Sequence, residues 1–272
     1  FLVSGILIPM ILPVDTPLWM IAVATAFSVI FAKEVFGGTG YNVFNVALIA
    51  RAFLFFSYPS KMSGDQVWVR TRDTFGMGGG QVVDGYSGAT PLGQIGVTEA
   101  TSFSEVTFTG ITGQPLSISD MFFGFIPGSI GEVSTFAILL GAIILIATGV
   151  GSWKTMLSVF LGGIFTVLVV NIFAKNAVME MPPLYHILLG GFAFGAVFMA
   201  TDPVTSARTE KGKWIYGFLI GLMAVTIRVF NPGYPEGMML AILFMNAFAP
   251  LIDFYVVDAN IKRRMKRVTN KV

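Results

Sequence analysis

Long apolar segments alternate with short polar breaks along most of the chain. They fall into two groups, on either side of a polar stretch at residues 57–126. Several of the segments reach the roughly 20 residues that a helix needs to cross a bilayer. The breaks combine glycine, proline and asparagine, which end helices and form turns. The apolar segments are residues 1–12, 18–36 and 43–56 in the first group, and 133–150, 155–173, 184–199, 214–230 and 238–257 in the second.

This pattern predicts an all-α integral membrane protein. We expect a multi-helix bundle of two related, inverted repeats, with broken helices and one long extramembrane loop. The chain opens on Phe1 inside an apolar run, so we expect the first group to be incomplete at its N-terminus. The predicted parts are first-repeat transmembrane helices at 1–56, an extracytoplasmic loop at 57–126, a second group of transmembrane helices at 127–258 and a basic cytoplasmic tail at 259–272.

The repeat hypothesis rests on a short internal similarity. Residues 38–51 align without gaps with residues 195–208, and this alignment pairs Asn45 with Asp202. Transporters often form central sites from paired broken helices in repeated halves. Chance similarity in an apolar composition explains these matches equally well.

Composition supports membrane residence and narrows the chemistry. Hydrophobic residues make up 54% of the chain and charged residues only 12%, against roughly 25% charged in an average soluble protein. Cysteine is absent and His186 is the single histidine. Disulfides, thiolate catalysis, cysteine-ligated metal clusters and paired histidine haem ligation are therefore excluded within this sequence. Redox chemistry here would need an organic cofactor.

Charge predicts the orientation. A strongly basic run at residues 262–267 follows the last apolar segment. The positive-inside rule places this run in the cytoplasm, as a membrane-proximal anchor rather than a nucleic-acid-binding patch. Five predicted crossings separate it from the polar stretch, and an odd number places that stretch outside.

The sharpest chemical feature is the segment Asp-Gly-Tyr-Ser-Gly-Ala-Thr at residues 84–90. Gly88 and Ala89 leave the backbone open to a bulky group, while Thr90 offers an oxygen that can form a phosphate ester. Spacing alone favours the simpler alternative, an ordinary glycine and serine turn in a loop.

The segment resembles the flavinylation motif of the NqrB/RnfD family, whose members belong to the Na+-translocating NADH:quinone reductases and to the Rnf ferredoxin:NAD+ complexes. The resemblance implies FMN linked through its phosphate to Thr90 by a separate flavin transferase, with Asp84, Ser87, Gly88 and Ala89 completing the motif. The family's first-repeat Asn-Pro-Ala is replaced by an Asn-Val-Ala that begins at Asn45. Similar stretches are found at residues 33–40, 51–56, 126–134, 190–195, 198–204 and 234–243.

The same resemblance implies a second flavin, a non-covalent riboflavin held between the two repeats. Asn42, Asn45 and Asp202 match its site, although helix–helix hydrogen bonding explains these residue types equally well. Ionisable residues within or beside membrane segments are functional candidates, and several are expected to form structural ion pairs. His186 is expected at the membrane interface and not as a ligand. The candidates for a Na+ path are Glu34, Glu132 and Asp253.

The expected function is that of an electron-transfer subunit in a Na+-pumping NADH:ubiquinone reductase of a bacterial inner membrane. The resemblance implies that other subunits oxidise NADH, that electrons pass to ubiquinone, and that this chain carries no catalytic residue of its own. One alternative is an Rnf-type subunit with the same cofactors but ferredoxin and NAD+ as substrates of the complex. A rival of another class is a small-solute channel, which paired broken helices can also form.

Overall fold

The structure is a computed structural model that describes residues 2–13, 16–62, 90–98, 100, 102–110, 113–231 and 236–269. Helices dominate this part of the chain. A π-helical turn at Gly195–Met199 directly follows α11. The helices are α1 Leu2–Ile11, α2 Leu18–Ala32, α3 Val46–Ser57, α4 Pro59–Met62, α5 Pro91–Val97, α6 Ile118–Phe123, α7 Thr135–Ala147, α8 Trp153–Ile172, α9 Ala177–Glu180, α10 Pro183–Leu188, α11 Phe192–Phe194, α12 Glu210–Phe230 and α13 Met238–Thr269.

Four helical segments of the described chain are long and apolar enough to cross a membrane. They are 18–36, which contains α2, together with α8, α12 and most of α13. Helices α1, α3 and α7 are apolar but shorter. The predicted class, an all-α integral membrane protein, is confirmed.

Helices α8 and α12 form the closest pair in the bundle. A Cβ atom added at Gly221 would lie 2.1 Å from the Val159 carbonyl oxygen, and one at Gly162 would lie 2.1 Å from the Phe218 carbonyl oxygen. Glycines at these positions therefore let the two backbones touch, which is how apolar helices associate where lipid removes the hydrophobic driving force. Arg228, whose contacts are described below, also lies on α12.

The predicted single helix at 184–199 is wrong. Helix α10 ends at Leu188, and Gly190 and Gly191 both have positive φ, at 65° and 64°. Residues with a side chain rarely adopt this left-handed backbone conformation. Two successive residues in it end a right-handed helix. The chain then resumes in α11. The segment 184–199 was counted as one of the five crossings that place the loop outside. The side of the membrane that the loop faces therefore stays a prediction.

The basic C-terminal run is helical where the structure describes it. Helix α13 continues through it to Thr269. Lysine, arginine and methionine are good helix formers, and Lys262 pairs one turn back with Asp258 at 2.7 Å. The boundary at residue 259 and the cytoplasmic position of this segment stay predictions.

The described C-terminal part of the predicted loop is folded. Helices α5 and α6 and the segment between them form a second apolar cluster with residues 177–189. Glu180 ties this cluster together, because its carboxylate accepts hydrogen bonds from the Ser102 hydroxyl at 2.7 Å and the Phe103 amide at 2.6 Å. These bonds lower the pKa of Glu180, with the Ser102 bond contributing most. The loop thus rests on the segment that leads into α10.

Candidate functional site

A buried group of three charged side chains joins the two halves of the chain. Arg51 on α3 donates from Nη1 to Glu132 Oε1 at 2.6 Å and from Nη2 to Glu236 Oε2. The side chains of Arg51 and Glu132 are only 10% and 11% exposed. We call Arg51, Glu132 and Glu236 the ionic centre.

Glu132 has an unusual proton affinity for a carboxyl group. It lies before α7, outside the helices that are long enough to cross a membrane. Burial raises its pKa to about 7, Arg51 opposes this shift, and the neighbouring Glu236 adds to it. Two carboxylates share one guanidinium here, so protonating one of them near neutral pH removes a buried negative charge.

A second buried arginine holds the helix break. Arg228 on α12 donates to the carbonyl oxygens of His186 at 2.6 Å, Leu189 at 3.1 Å and Glu236 at 3.3 Å. The last carbonyls of a helix lack partners within it, and a cation there also interacts favourably with the helix dipole. His186 is only 2% exposed, so it is buried within the protein. Its position at the membrane interface stays a prediction.

The two glycines of the break contact the ionic centre on one side and the loop on the other. A Cβ atom at Gly191 would lie 2.7 Å from the Glu132 carboxyl carbon. One at Gly190 would lie 2.2 Å from a methyl carbon of Leu92 in α5. No larger residue fits either position without displacing these neighbours. The break is therefore the point where the loop meets the buried charges.

Thr90 begins the helix that contacts this break. Its Oγ1 accepts a hydrogen bond from the Gly93 amide at 3.2 Å and so caps α5. A cavity of about 220 Å³ lies along the same helix, with Ile95 and Arg228 in its wall. Asp84, Ser87, Gly88 and Ala89 lie outside the described residues.

The three residues matched to the riboflavin site have different surroundings. Asn45 caps α3 by accepting from the amides of Ala47 at 3.0 Å and Leu48 at 3.3 Å. Asn42 has a buried Oδ1 without a hydrogen-bond partner among the described residues. A buried acceptor without a donor is costly, so Asn42 fits a ligand that supplies one.

Asp202 lies in the turn after the π-helix. Its carboxylate accepts from the Val204 amide at 3.2 Å and the Thr205 hydroxyl at 2.9 Å. Within the described chain no hydrogen bond joins it to Asn42 or Asn45. The local structures of the aligned segments also differ, since a helix begins directly after Asn45 whereas Asp202 follows one. Asn45 and Asp202, which the ungapped alignment pairs, therefore occupy different positions relative to their helices.

Each candidate for the Na+ path has a local partner. Glu34 is 56% exposed at its side chain and lies 3.9 Å from Lys33 Nζ. Asp253 accepts from the amides of Arg208 at 2.7 Å and Thr209 at 3.0 Å, which fixes the start of α12. Glu132 belongs to the ionic centre. The described residues contain no group of three or more histidine, cysteine or acidic side chains that could hold a metal ion.

The fold and the site together define a multi-pass, all-α membrane protein in which a helix break lies between a folded loop and a buried ionic centre. The chain belongs to the NQR2, RnfD, RnfE family, whose pattern matches residues 1–262.

Its relatives include proteins named as the B subunits of Na(+)-translocating NADH-quinone reductases. The protein from Klebsiella pneumoniae (strain 342) is 51% identical over 269 residues, covering 98% of this chain and 61% of the relative. Those from Chromohalobacter salexigens and Neisseria meningitidis serogroup A are each 49% identical, covering 98% of this chain and 60% and 62% of the relatives. The chain thus spans about three fifths of the length of these relatives.

Proposed function

We propose that this chain is the membrane electron-transfer subunit of a Na+-translocating NADH:quinone reductase in a bacterial inner membrane. Membership of the family and the names of relatives about 50% identical support this role. In this proposal partner subunits oxidise NADH, ubiquinone receives the electrons, and the loop faces away from the cytoplasm.

We further propose that FMN is attached to Thr90 through a phosphate ester formed by a flavin transferase. The observation that carries this is the position of the Thr90 hydroxyl, at the start of the helix that contacts Gly190. The half-buried Thr90 presents its oxygen at a helix end and not inside a packed core. When bound, FMN would supply the capacity to accept and release electrons.

Riboflavin is the second proposed cofactor, and Asn42 is the residue that fits it best. Its buried Oδ1 would accept a hydrogen bond from an N–H group of the ligand. Asn45 and Asp202 are already bonded within their own segments, so their proposed part is to shape the surrounding backbone.

In-gel flavin fluorescence after denaturation tests the covalent attachment. The full-length chain is produced together with a flavin transferase, as wild type and as Thr90→Asn and Thr98→Ala. Asparagine caps helices as well as threonine does, so Thr90→Asn removes the ester oxygen while keeping the cap. Fluorescence retained in Thr90→Asn, or lost in Thr98→Ala, contradicts the assignment to Thr90.

The substrates are tested separately on the assembled complex. NADH-driven quinone reduction that depends on this chain supports the proposed enzyme. Electron transfer from ferredoxin to NAD+ in its place would favour the Rnf-type alternative.

A further inference from the structure

A groove lies between α12 and α13, at the end of the bundle where α12 begins. It has a volume of about 390 Å³. Its apolar lining includes Ile215, Ile252 and Val256. Two cationic side chains, Lys211 and Arg263, lie at its outer rim.

Aromatic side chains mark the depth of this groove relative to a bilayer. Trp153 at the start of α8 and Trp214 near the start of α12 contact edge to face, with ring centroids 6.0 Å apart. Tyr255 lines the groove itself and is 63% exposed. Tryptophan and tyrosine concentrate at the boundary between lipid and water. The groove therefore spans that boundary, with its apolar wall on the hydrocarbon side and its cations at headgroup level.

The cations at the rim have no partner within the described chain. Neither Lys211 nor Arg263 makes a hydrogen bond or ion pair there, whereas the nearby Lys154 and Lys213 both pair with Glu210. Two unpaired cations above an apolar wall complement an amphiphile with an anionic head.

We propose that this groove binds an anionic phospholipid, with its phosphate between Lys211 and Arg263 and an acyl chain along Ile215, Ile252 and Val256. The site does not depend on the electron-transfer function proposed above.

Quantifying bound lipid tests the proposal. The full-length chain is purified in neutral detergent with the subunits that accompany it, and phosphatidylglycerol is measured by mass spectrometry. The double variant Lys211→Gln/Arg263→Gln is compared with Lys266→Gln/Arg267→Gln, which removes the same charge from exposed positions of α13 outside the groove. Each neutralised charge in the groove should weaken binding about fivefold. The two changes together should therefore weaken phosphatidylglycerol binding to the groove about 25-fold relative to the control.

A thermal-shift series distinguishes the possible sources of the anion. Added phosphatidylglycerol should raise the melting temperature of wild type and of the control variant, but not of the groove variant. Equal stabilisation by phosphatidylcholine or by inorganic phosphate overturns the proposal. Equal lipid loss in both variants also overturns it. Unchanged lipid retention in the groove variant does so too, and is the result expected if a partner protein covers the groove.

Discussion

The guanidinium of Arg51 lies 2.6 Å from the carboxylate of Glu132, although the two residues are 81 positions apart in the chain. The contact joins a helix of the first apolar group to the segment that precedes the second. Glu236 completes the ionic centre from a position 185 residues beyond Arg51. Three distant parts of the sequence therefore depend on one buried cation.

Replacing Arg51 should destabilise the protein strongly. Arg51→Met would leave Glu132 and Glu236 facing each other without their shared cation, at an expected cost of about 3–5 kcal/mol. Thermal and denaturant unfolding in detergent measures this loss. The control is Lys33→Met, which removes a longer and more exposed ion pair and should cost less than about 1 kcal/mol. Similar losses of unfolding free energy in the two variants would show that the ionic centre does not stabilise the contact between these segments.

Stability should depend on pH through Glu132. Its pKa rises from 4.5 to about 7 on folding, so the folded protein holds this proton more tightly than the unfolded chain does. The stability that protonated Glu132 contributes is complete below its pKa in the unfolded chain, 4.5. It is lost as pH rises through the folded pKa of about 7. Melting temperatures measured from pH 5 to 8 should therefore fall more steeply in wild type than in Glu132→Gln. Parallel pH profiles would mean that Glu132 titrates at its ordinary value.

Gly191→Ala should disturb the helix break more than a matched substitution elsewhere. Gly191 and Gly149 both have positive φ, at 64° and 72°, so an added side chain is strained at either position. This strain costs about 1–2 kcal/mol in each case. The new methyl at Gly191 also meets Glu132, whereas that at Gly149 has no neighbour within 4 Å. Gly191→Ala should therefore lower the melting temperature more than Gly149→Ala does. Equal shifts in the two variants would show that the close contact of Gly191 with Glu132 has no steric consequence.

The class of integral membrane protein and most of the long helices could be predicted from the sequence, because a long apolar run leaves few alternatives to a membrane-spanning helix. Helices α8 and α12 begin within a few residues of the predicted segments. The break at Gly190 and Gly191 was missed, since two glycines within an apolar run are also common in closely packed membrane helices.

The ionic centre was only partly predictable. Arg51 and Glu132 are unusual as charges within or beside apolar segments, and that signal marks them as residues that need partners. The same signal marks Arg228 at the helix break. Glu236 follows a short segment of sequence that contains two prolines and a glycine, where a charge is ordinary, so nothing local indicated its role. Which acid meets which arginine depends on contacts between distant segments, and these are fixed only when the helices pack.

Thr90 was identified by resemblance and not by spacing, and the structure adds its place at the start of α5. Mass spectrometry of the proteolytic peptide that contains Thr90 tests the central claim most directly. The peptide from the full-length chain, produced with a flavin transferase, should be heavier by the mass of FMN less one water, with fragment ions placing the addition on Thr90. An unmodified peptide in a preparation whose transferase modifies another substrate, or an addition placed on a different residue, would contradict the account.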